Sequence, residues 1–501
     1  MNTQGVTVRP PVVVIMGHID HGKSTLLDYI RKSNIVDGEA GGITQHLSAY
    51  EVPHKDEKGE IRKITFLDTP GHAAFSGMRE RGASVADIAI LIVSAEDGVK
   101  AQTIEALNTI LEAKVPYLVA INKIDRPGAN VEKAKMELME KGVYLEGYGG
   151  AIPYVEISAK AGTNIPALLD TILLVADMEN FTGDASNTAR GIVIESNMDS
   201  KRGISATMVI KEGTLSKGMF LVVEDAIVTT RIMEDFLGKT ITEVGMCAPV
   251  RLIGFDKVPT VGSVFETFNT KKEAEVAVAL YKEILQSGST SFQKERFSAD
   301  TKLIPLIIKT DVVGTGEAIE KEILKLNTPE ISFKILSRGV GSIGENDLKL
   351  LSGDKEGLVV GFNVKVDSKA QDLNEGLQIP IHTYTIIYKL TEMLTELMEE
   401  RRPRIQVLEV VGKTKVLKTF SSTKERRVIG GRVESGKLAQ GHKVRIMRRD
   451  FEIGEGIIIG VEQGKIKSKE IAEGNECGIL IEAKNEIAPG DYLESFVMVT
   501  K

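Results

Sequence analysis

The sequence predicts a multidomain chain of α/β and β class. Its parts are a P-loop domain on a doubly wound sheet, a β-barrel, an α/β sandwich domain, a long linker helix and a C-terminal β-barrel. Three observations predict it. Residues 11–178 alternate short apolar runs with stretches of crossover-helix length. Two later segments read as short strands cut by Gly turns. Between these two lies a second alternating stretch. A chain of 501 residues is in any case too long for one core.

The apolar runs of the first domain are Pro11–Met16, Ile64–Leu67, Ile88–Val93, Tyr117–Ile121 and Tyr154–Ile157. The barrel texture covers Gly191 to Phe268 and returns from Ile405 to Phe496. The two barrel segments share turns in the same order: Gly213 to Gly218 matches Gly436 to Gly441, Gly245 and Cys247 face Gly474 and Cys477, and Val261 to Phe268 matches Pro489 to Phe496. Matches in one order argue for a duplicated barrel. Between them, strands at Leu303–Lys309, Ser332–Leu336, Gly357–Phe362 and Ile379–His382 alternate with helices, and no phosphate loop is present there. Helical linkers flank this part, about Lys271–Gln286 and Thr385–Arg402, the second ended by Pro403. The second is amphipathic and reads either as a free-standing arm or as a helix packed on its neighbours.

Gly17, His18, Ile19, Asp20, His21, Gly22, Lys23 and Ser24, followed by Thr25, fit the pattern G-x-x-x-x-G-K-[ST] between a strand and a helix. Glycines let backbone N–H groups turn inward around phosphate oxygens, and the helix N-terminus favours the anion. Lys23 is expected to reach the β- and γ-phosphates, and the Ser24 hydroxyl to ligate Mg²⁺. Asp68, Thr69, Pro70, Gly71 and His72 follow the next run. Asp68 is placed to hold Mg²⁺ through water, and the Gly71 N–H to meet the γ-phosphate.

Asn122, Lys123 and Asp125 follow the fourth run. Guanine offers two adjacent donors, and one carboxylate, Asp125, accepts both; adenine has no such pair. Ser158, Ala159 and Lys160 follow the fifth run and can offer a backbone N–H to guanine O6. All four motifs fall at the sheet end where ligands bind, so the first domain reads as a P-loop GTPase domain. Gly41, Gly42, Ile43 and Thr44 lie in a loop between the first two motifs, where a Thr44 hydroxyl would complete the Mg²⁺ shell.

Composition sets limits on the rest. The chain is 42% apolar and 27% charged, which indicates a globular protein. It has no Trp and 5% aromatics, which argues against nucleic acid held mainly by stacking. The net charge is −7, but residues 404–501 carry 18 Lys and Arg against 14 Asp and Glu, a local +4 on a body of −11. A mildly basic C-terminal module is compatible with RNA contact and equally with an ordinary solvated surface. Two cysteines make no disulfide framework, and no signal core or spanning run is visible, so a cytoplasmic setting is expected.

The phosphate-loop residues with His72 after the Asp-x-x-Gly motif resemble the translational GTPases. Gly38 to His46, Phe66 to Phe75, Ala120 to Asp125 and Pro127 to Asn130 are similar to bacterial initiation factor two, as are Val359 to Val364, Thr385 to Tyr388 and Glu473 to Gly478. The resemblance implies a GTPase that binds GTP and initiator formylmethionyl-tRNA on the small ribosomal subunit. It implies joining of the large subunit, ribosome-stimulated hydrolysis to GDP, and a monomer off the ribosome. It makes His72 the catalytic residue and Ile19 and Ile43 an apolar gate. It assigns Phe420, Glu476, Cys477 and Gly478 to the formylmethionyl end of the tRNA. This chain departs from the family at Gly430-Gly431, where many members have Cys after Ala-Gly, and at Gln463 to Lys465, which replaces a basic turn.

The resulting division is a tail 1–10, the GTPase domain 11–180, a barrel 181–270, a helical linker 271–300, an α/β/α domain 301–384, a connecting helix 385–403 and a tRNA-binding barrel 404–501. A second reading is a GTP-gated ribosome-binding or assembly module without tRNA selection. An elongation-type carrier would place both barrels directly after the GTPase domain, and the inserted α/β part speaks against it.

Overall fold

The computed structural model describes residues 6–31, 44–56, 58–287, 301–354, 356–402, 406–422, 426–449, 451–464 and 466–500. Gly41, Gly42, Ile43, Pro403 and Lys465 lie outside the described residues. The chain forms two compact units, Met1–Arg401 and Arg402–Lys501.

The first unit opens on a six-stranded sheet in the order Ser48–Lys55, Ile61–Asp68, Val12–Gly17, Ile88–Ser94, Tyr117–Asn122 and Tyr154–Glu156. All neighbours are parallel except the first pair. That antiparallel edge strand, Ser48–Lys55, was not among the expected runs. It ends on polar residues, and its buried part is short: Ala49 packs on one face of the sheet and Tyr50 and Val52 on the other. Helices α1 (Lys23–Arg31), α2 (Ser76–Val85), α3 (Ala101–Ala113), α4 (Val131–Glu140) and α5 (Ile165–Glu179) cover the two faces. The inner strands Val12–Gly17 and Ile88–Ser94 are buried along their whole length and apolar up to the closing Ser94, as strands covered on both sides must be.

The first barrel spans the strands from Arg190–Asp199 to Val264–Phe268 and leads into α6 (Lys271–Ser287). It is tied to the GTPase sheet. Asp87 accepts two hydrogen bonds from Arg9, one from Lys211 at 2.8 Å and one from the Val12 N–H at 2.9 Å. Thr65 Oγ1 donates to the Cys247 carbonyl at 2.6 Å.

The α/β domain has a parallel sheet ordered Ile331–Val340, Lys302–Thr310, Leu358–Phe362 and Ile381–Tyr384. Its helices are α7 (Val313–Leu326), α8 (Glu345–Leu351) and α9 (Ser368–Leu377), followed by α10 (Ile387–Arg401). One face of this sheet, with α7 and α10, joins the same apolar core as α2 and α3 of the GTPase domain. Helix α10 therefore packs through Ile387, Leu390, Leu394 and Met398 and is not a free-standing arm.

The second unit is a barrel whose strands run much longer, 17 residues for Gln406–Ser422 and 14 for Arg426–Ala439. Among the described residues, no helix is long and apolar enough to cross a membrane.

Candidate functional site

The phosphate loop leaves the central strand at Gly17, makes a 3₁₀ turn over Ile19–His21 and enters α1 at Lys23. Gly22 has φ +87, and a Cβ there would lie 2.4 Å from the Asn122 amide nitrogen, so only glycine fits. Lys23 is buried and donates to the carbonyls of Gly17 at 2.9 Å and His18 at 2.7 Å. Burial lowers its pKa to about 8, against the opposing charge of Asp68. A buried ammonium held by neutral carbonyls beside a helix N-terminus is a strong anion position. Asp20 and Thr25 are exposed at the loop and in the first turn of α1. His21 is buried against the Ile92 carbonyl at 3.4 Å and packs edge-on to His18, with rings 5.0 Å apart. Burial lowers its pKa to about 4, so it is neutral and structural.

The second motif comes to the same place. A Cβ on Gly71 would sit 2.5 Å from Lys23 Nζ and 3.1 Å from Ile19 Cα, so the backbone at 71 lies against the phosphate loop. Thr69 Oγ1 donates to the Ile15 carbonyl at 2.8 Å and fixes the turn to the sheet. The Ser24 and Thr44 hydroxyls are 2.8 Å apart. With the buried Asp68 they supply oxygen ligands of the type Mg²⁺ takes, leaving the rest to phosphate and water. His72 accepts the Ala74 N–H on Nδ1 at 3.0 Å, so its neutral ring carries the proton on Nε2. Burial holds its pKa below the ordinary value.

The base-side motifs are bound to one another. Asn122 Nδ2 donates to the His21 carbonyl at 2.8 Å, and its Oδ1 accepts the Ala159 N–H at 2.9 Å. This side chain links the phosphate loop to Ser158, Ala159 and Lys160, the stretch expected to offer a backbone N–H to guanine O6, and it engages the Ala159 amide of that stretch. Lys123, at φ +66, reaches Asp97 at 3.1 Å. Ser158 Oγ donates to Asp125 Oδ1 at 2.6 Å and accepts the Ala161 N–H at 3.0 Å. That hydrogen bond keeps the exposed Asp125 carboxyl below the ordinary range, ionised and oriented.

Three residues escaped the sequence reading. Arg79, buried on α2, donates to the Pro70 and His72 carbonyls and pairs with Glu105, clamping the turn that carries His72. Gln102 Oε1 accepts the Ile19 N–H at 3.2 Å. Tyr388 of α10 meets the His72 ring edge to face, centroids 4.4 Å apart. An Arg or Gln on an amphipathic helix reads as solvated, and a contact between residues 72 and 388 leaves no local pattern.

In the second unit, Phe420, Glu476, Cys477 and Gly478 line one cavity of about 400 Å³ with Leu417, Lys418, Gly430, Gly431, Glu462 and Gly464. Phe420 is exposed, and Cys477 is buried within hydrogen-bond range of the Gly431 carbonyl at 3.5 Å. Burial and the neighbouring Glu476 push the thiol up to about 11.

Residues 9–177 match the family model of the elongation factor Tu GTP binding domain, 188–268 that of elongation factor G domain 2, and 282–395 that of translation-initiation factor 2. Translation initiation factor IF-2 of Bacillus subtilis is 39% identical over 506 residues, which cover 99% of this chain and 70% of that protein. The chain belongs to the translation initiation factor IF-2 family. The IF-2 of Geotalea daltonii is 40% identical over 504 residues, 99% of this chain and 55% of its own. The solved structure of GDP-bound aIF5B from Aeropyrum pernix is similar at 26% identity, with a TM-score of 0.48 over 98% of this chain and 92% of its own. As an IF-2 family member the chain is a translation initiation factor and a translational GTPase, and it binds GTP and GDP.

Proposed function

We propose that this chain binds GTP with Mg²⁺ and initiator formylmethionyl-tRNA on the small ribosomal subunit. It then promotes joining of the large subunit and hydrolyses GTP when the ribosome stimulates it. The observation that carries the tRNA half is the cavity of about 400 Å³ at Phe420, Glu476, Cys477 and Gly478, whose aromatic and sulfur lining suits a methionyl thioether. In the GTPase half, the phosphate-loop amides and Lys23 hold the phosphates, and Asp125 reads guanine. Ser24 and Thr44 would hold Mg²⁺ directly and Asp68 through water; the ion neutralises phosphate charge. Neutral His72 orients the water that attacks the γ-phosphorus as its bond to the β-phosphate oxygen breaks, giving GDP and phosphate. Positioning contributes more here than proton abstraction.

The test is filter binding of formylated and unformylated initiator tRNA, with GTP hydrolysis measured with and without both subunits. Preference for the formylated form and strong ribosomal stimulation are expected. Equal, weak binding of both tRNAs would turn the reading to a GTP-gated ribosome-binding or assembly module. His72→Ala is expected to leave GTP affinity nearly unchanged and to lower ribosome-stimulated hydrolysis at least about 100-fold. An equal fall in both would make His72 structural.

A further inference from the structure

We propose that Tyr388 is a positioning residue for His72: the start of α10 holds the imidazole at rest, and hydrolysis requires that contact to open. This rests on the reading of His72 as the residue that orients the hydrolytic water.

Three contacts fix the ring. Its Nδ1 accepts the Ala74 N–H at 3.0 Å, its own turn supplies Phe75 edge-on at 6.2 Å, and Tyr388 closes the remaining side at 4.4 Å with the ring planes 87° apart. The first two are local and travel with the turn that follows Gly71. The third comes from another domain, so it alone can change when domains move. An edge-to-face pair of this geometry biases an orientation about three- to tenfold.

The same stretch that supplies Tyr388 also touches the other nucleotide-facing segment. Gln45 Nε2, next to Thr44, donates to the Thr385 carbonyl at 3.0 Å. Beside it, His46 lies 3.3 Å from Asp311 at the end of the α/β domain's first strand. From the other side, α7 holds α2 through Glu317 to Arg81 at 2.6 Å and Lys321 to Ser76 at 2.7 Å. Thr385 to Tyr388 therefore touches the chain just after Thr44 and just after Gly71, the two places where a γ-phosphate and its ion would pull. A cavity of about 290 Å³ between Phe75 and Met78 on one side and Gly314, Ala318 and Leu324 on the other leaves the His72 turn room to shift against α7. A tightly packed joint would not allow that.

The experiment is single-turnover GTP hydrolysis by the full chain without ribosomes. Y388L is expected to raise the rate about three- to tenfold at unchanged GTP affinity. The conservative Y388F keeps the edge-on ring and brings the rate back to that of the wild type. The gain vanishes in the double variant H72A/Y388L, because it acts through the imidazole. NMR of ¹⁵N-labelled histidine gives a second readout: in Y388L the His72 pKa climbs toward the ordinary 6.5 or so as the ring loses its cover. If Y388L lowers nucleotide affinity, Y388M replaces it. A rate at or below the wild type, or a gain that persists without His72, overturns the proposal. H72A alone on ribosomes tests the parent reading separately, since an unchanged stimulated rate there removes His72 from the reaction whatever Tyr388 does.

Discussion

The two barrels are built to one plan and put to different uses. In the first, Arg190–Asp199 pairs with Gly203–Glu212 and Val264–Phe268, and Gly203–Glu212 pairs with Pro249–Phe255. In the second, Gln406–Ser422 pairs with Arg426–Ala439 and Tyr492–Thr500, and Arg426–Ala439 pairs with Glu476–Ala483. The remaining pairings also correspond, Phe220–Val223 with Val264–Phe268 against Lys443–Arg448 with Tyr492–Thr500. Shared turn glycines, Gly213 at φ +77 and Gly436 at φ +68, set the frame. Counting back from them, the facing pair Met208 and Val250 corresponds to Gly431 and Cys477. The sequence matched Cys477 to Cys247 instead; Cys247 lies before its strand, and Val250 stands at the equivalent place.

The cavity lies on the other face of these strands. Met208 and Val250 are buried inside the first barrel as Gly431 and Cys477 are inside the second, whereas the facing pair Gly430 and Gly478 leaves space on the outer side, where Thr207 and Arg251 stand in the first barrel. The rim differs too. Thr207 pairs with Glu195, and Glu195 accepts the Gly314 N–H at the start of α7 at 3.2 Å. Gly430 pairs with Lys418, beside Phe420, and this edge borders the cavity. One barrel edge is a domain joint and the other borders an open cavity.

The largest break in this comparison comes from removing the first barrel's anchor. Asp87 is buried, and Asp87→Ala leaves the Arg9 guanidinium, the Lys211 ammonium and the Val12 N–H without their acceptor. The expected cost is about 3 kcal/mol. Calorimetry is expected to show a lowered transition for the first unit and an unchanged one for the second; an equal fall in both would mean they unfold together. The pH dependence has a definite sign. Burial raises the Asp87 pKa, but the hydrogen bond from Arg9 and the charges of Lys211 and Arg9 outweigh it and hold the folded value below the ordinary one. Its contribution is thus complete above the unfolded pKa of about 3.9 and is lost as pH falls through the folded value. The gap between wild type and variant closes only in that acid range.

The second break fills the cavity beside the second barrel from Gly430, whose counterpart in the first barrel is Thr207. A Cβ at Gly430 would lie 3.0 Å from the Phe420 ring, on the cavity side, and the backbone there is an ordinary strand. Gly430→Val is expected to weaken binding of formylmethionyl-tRNA tenfold or more, about 1.4 kcal/mol. Ribosome-free GTP hydrolysis is expected to stay at the wild-type rate. Retained tRNA affinity would move the formylmethionyl end elsewhere on the barrel.

What the sequence made legible divides along the same line. The phosphate loop, Asp68, Asn122 and Asp125 could be read because phosphates and guanine demand fixed residue types at fixed strand ends. The barrels could be read because turn glycines at positive φ have few substitutes. The Arg79 clamp, the Gln102 acceptor and the Tyr388 contact could not, since each joins residues far apart in the chain through side chains that suit a solvated helix face equally well. The cavity was visible only as Gly430-Gly431, a departure whose meaning depends on the register that sets Gly431 opposite Cys477.

The smallest and sharpest test is at that pair. Cys477→Val installs the residue that the first barrel carries at the equivalent place. Val is larger by about one methyl group, and the site is part of the barrel core, so the stability change is expected to be about 1 kcal/mol. What changes is the thiol. It lies 3.5 Å from the Gly431 carbonyl, and with its pKa pushed up to about 11 it stays protonated at neutral pH. As a weak donor at the cavity wall, it is expected to be worth no more than about threefold in affinity for the formylmethionyl end. Filter binding at fixed salt measures it. A loss as large as that of Gly430→Val would mean that the sulfur contacts the ligand directly, and the two barrels would then differ in chemistry as well as in space.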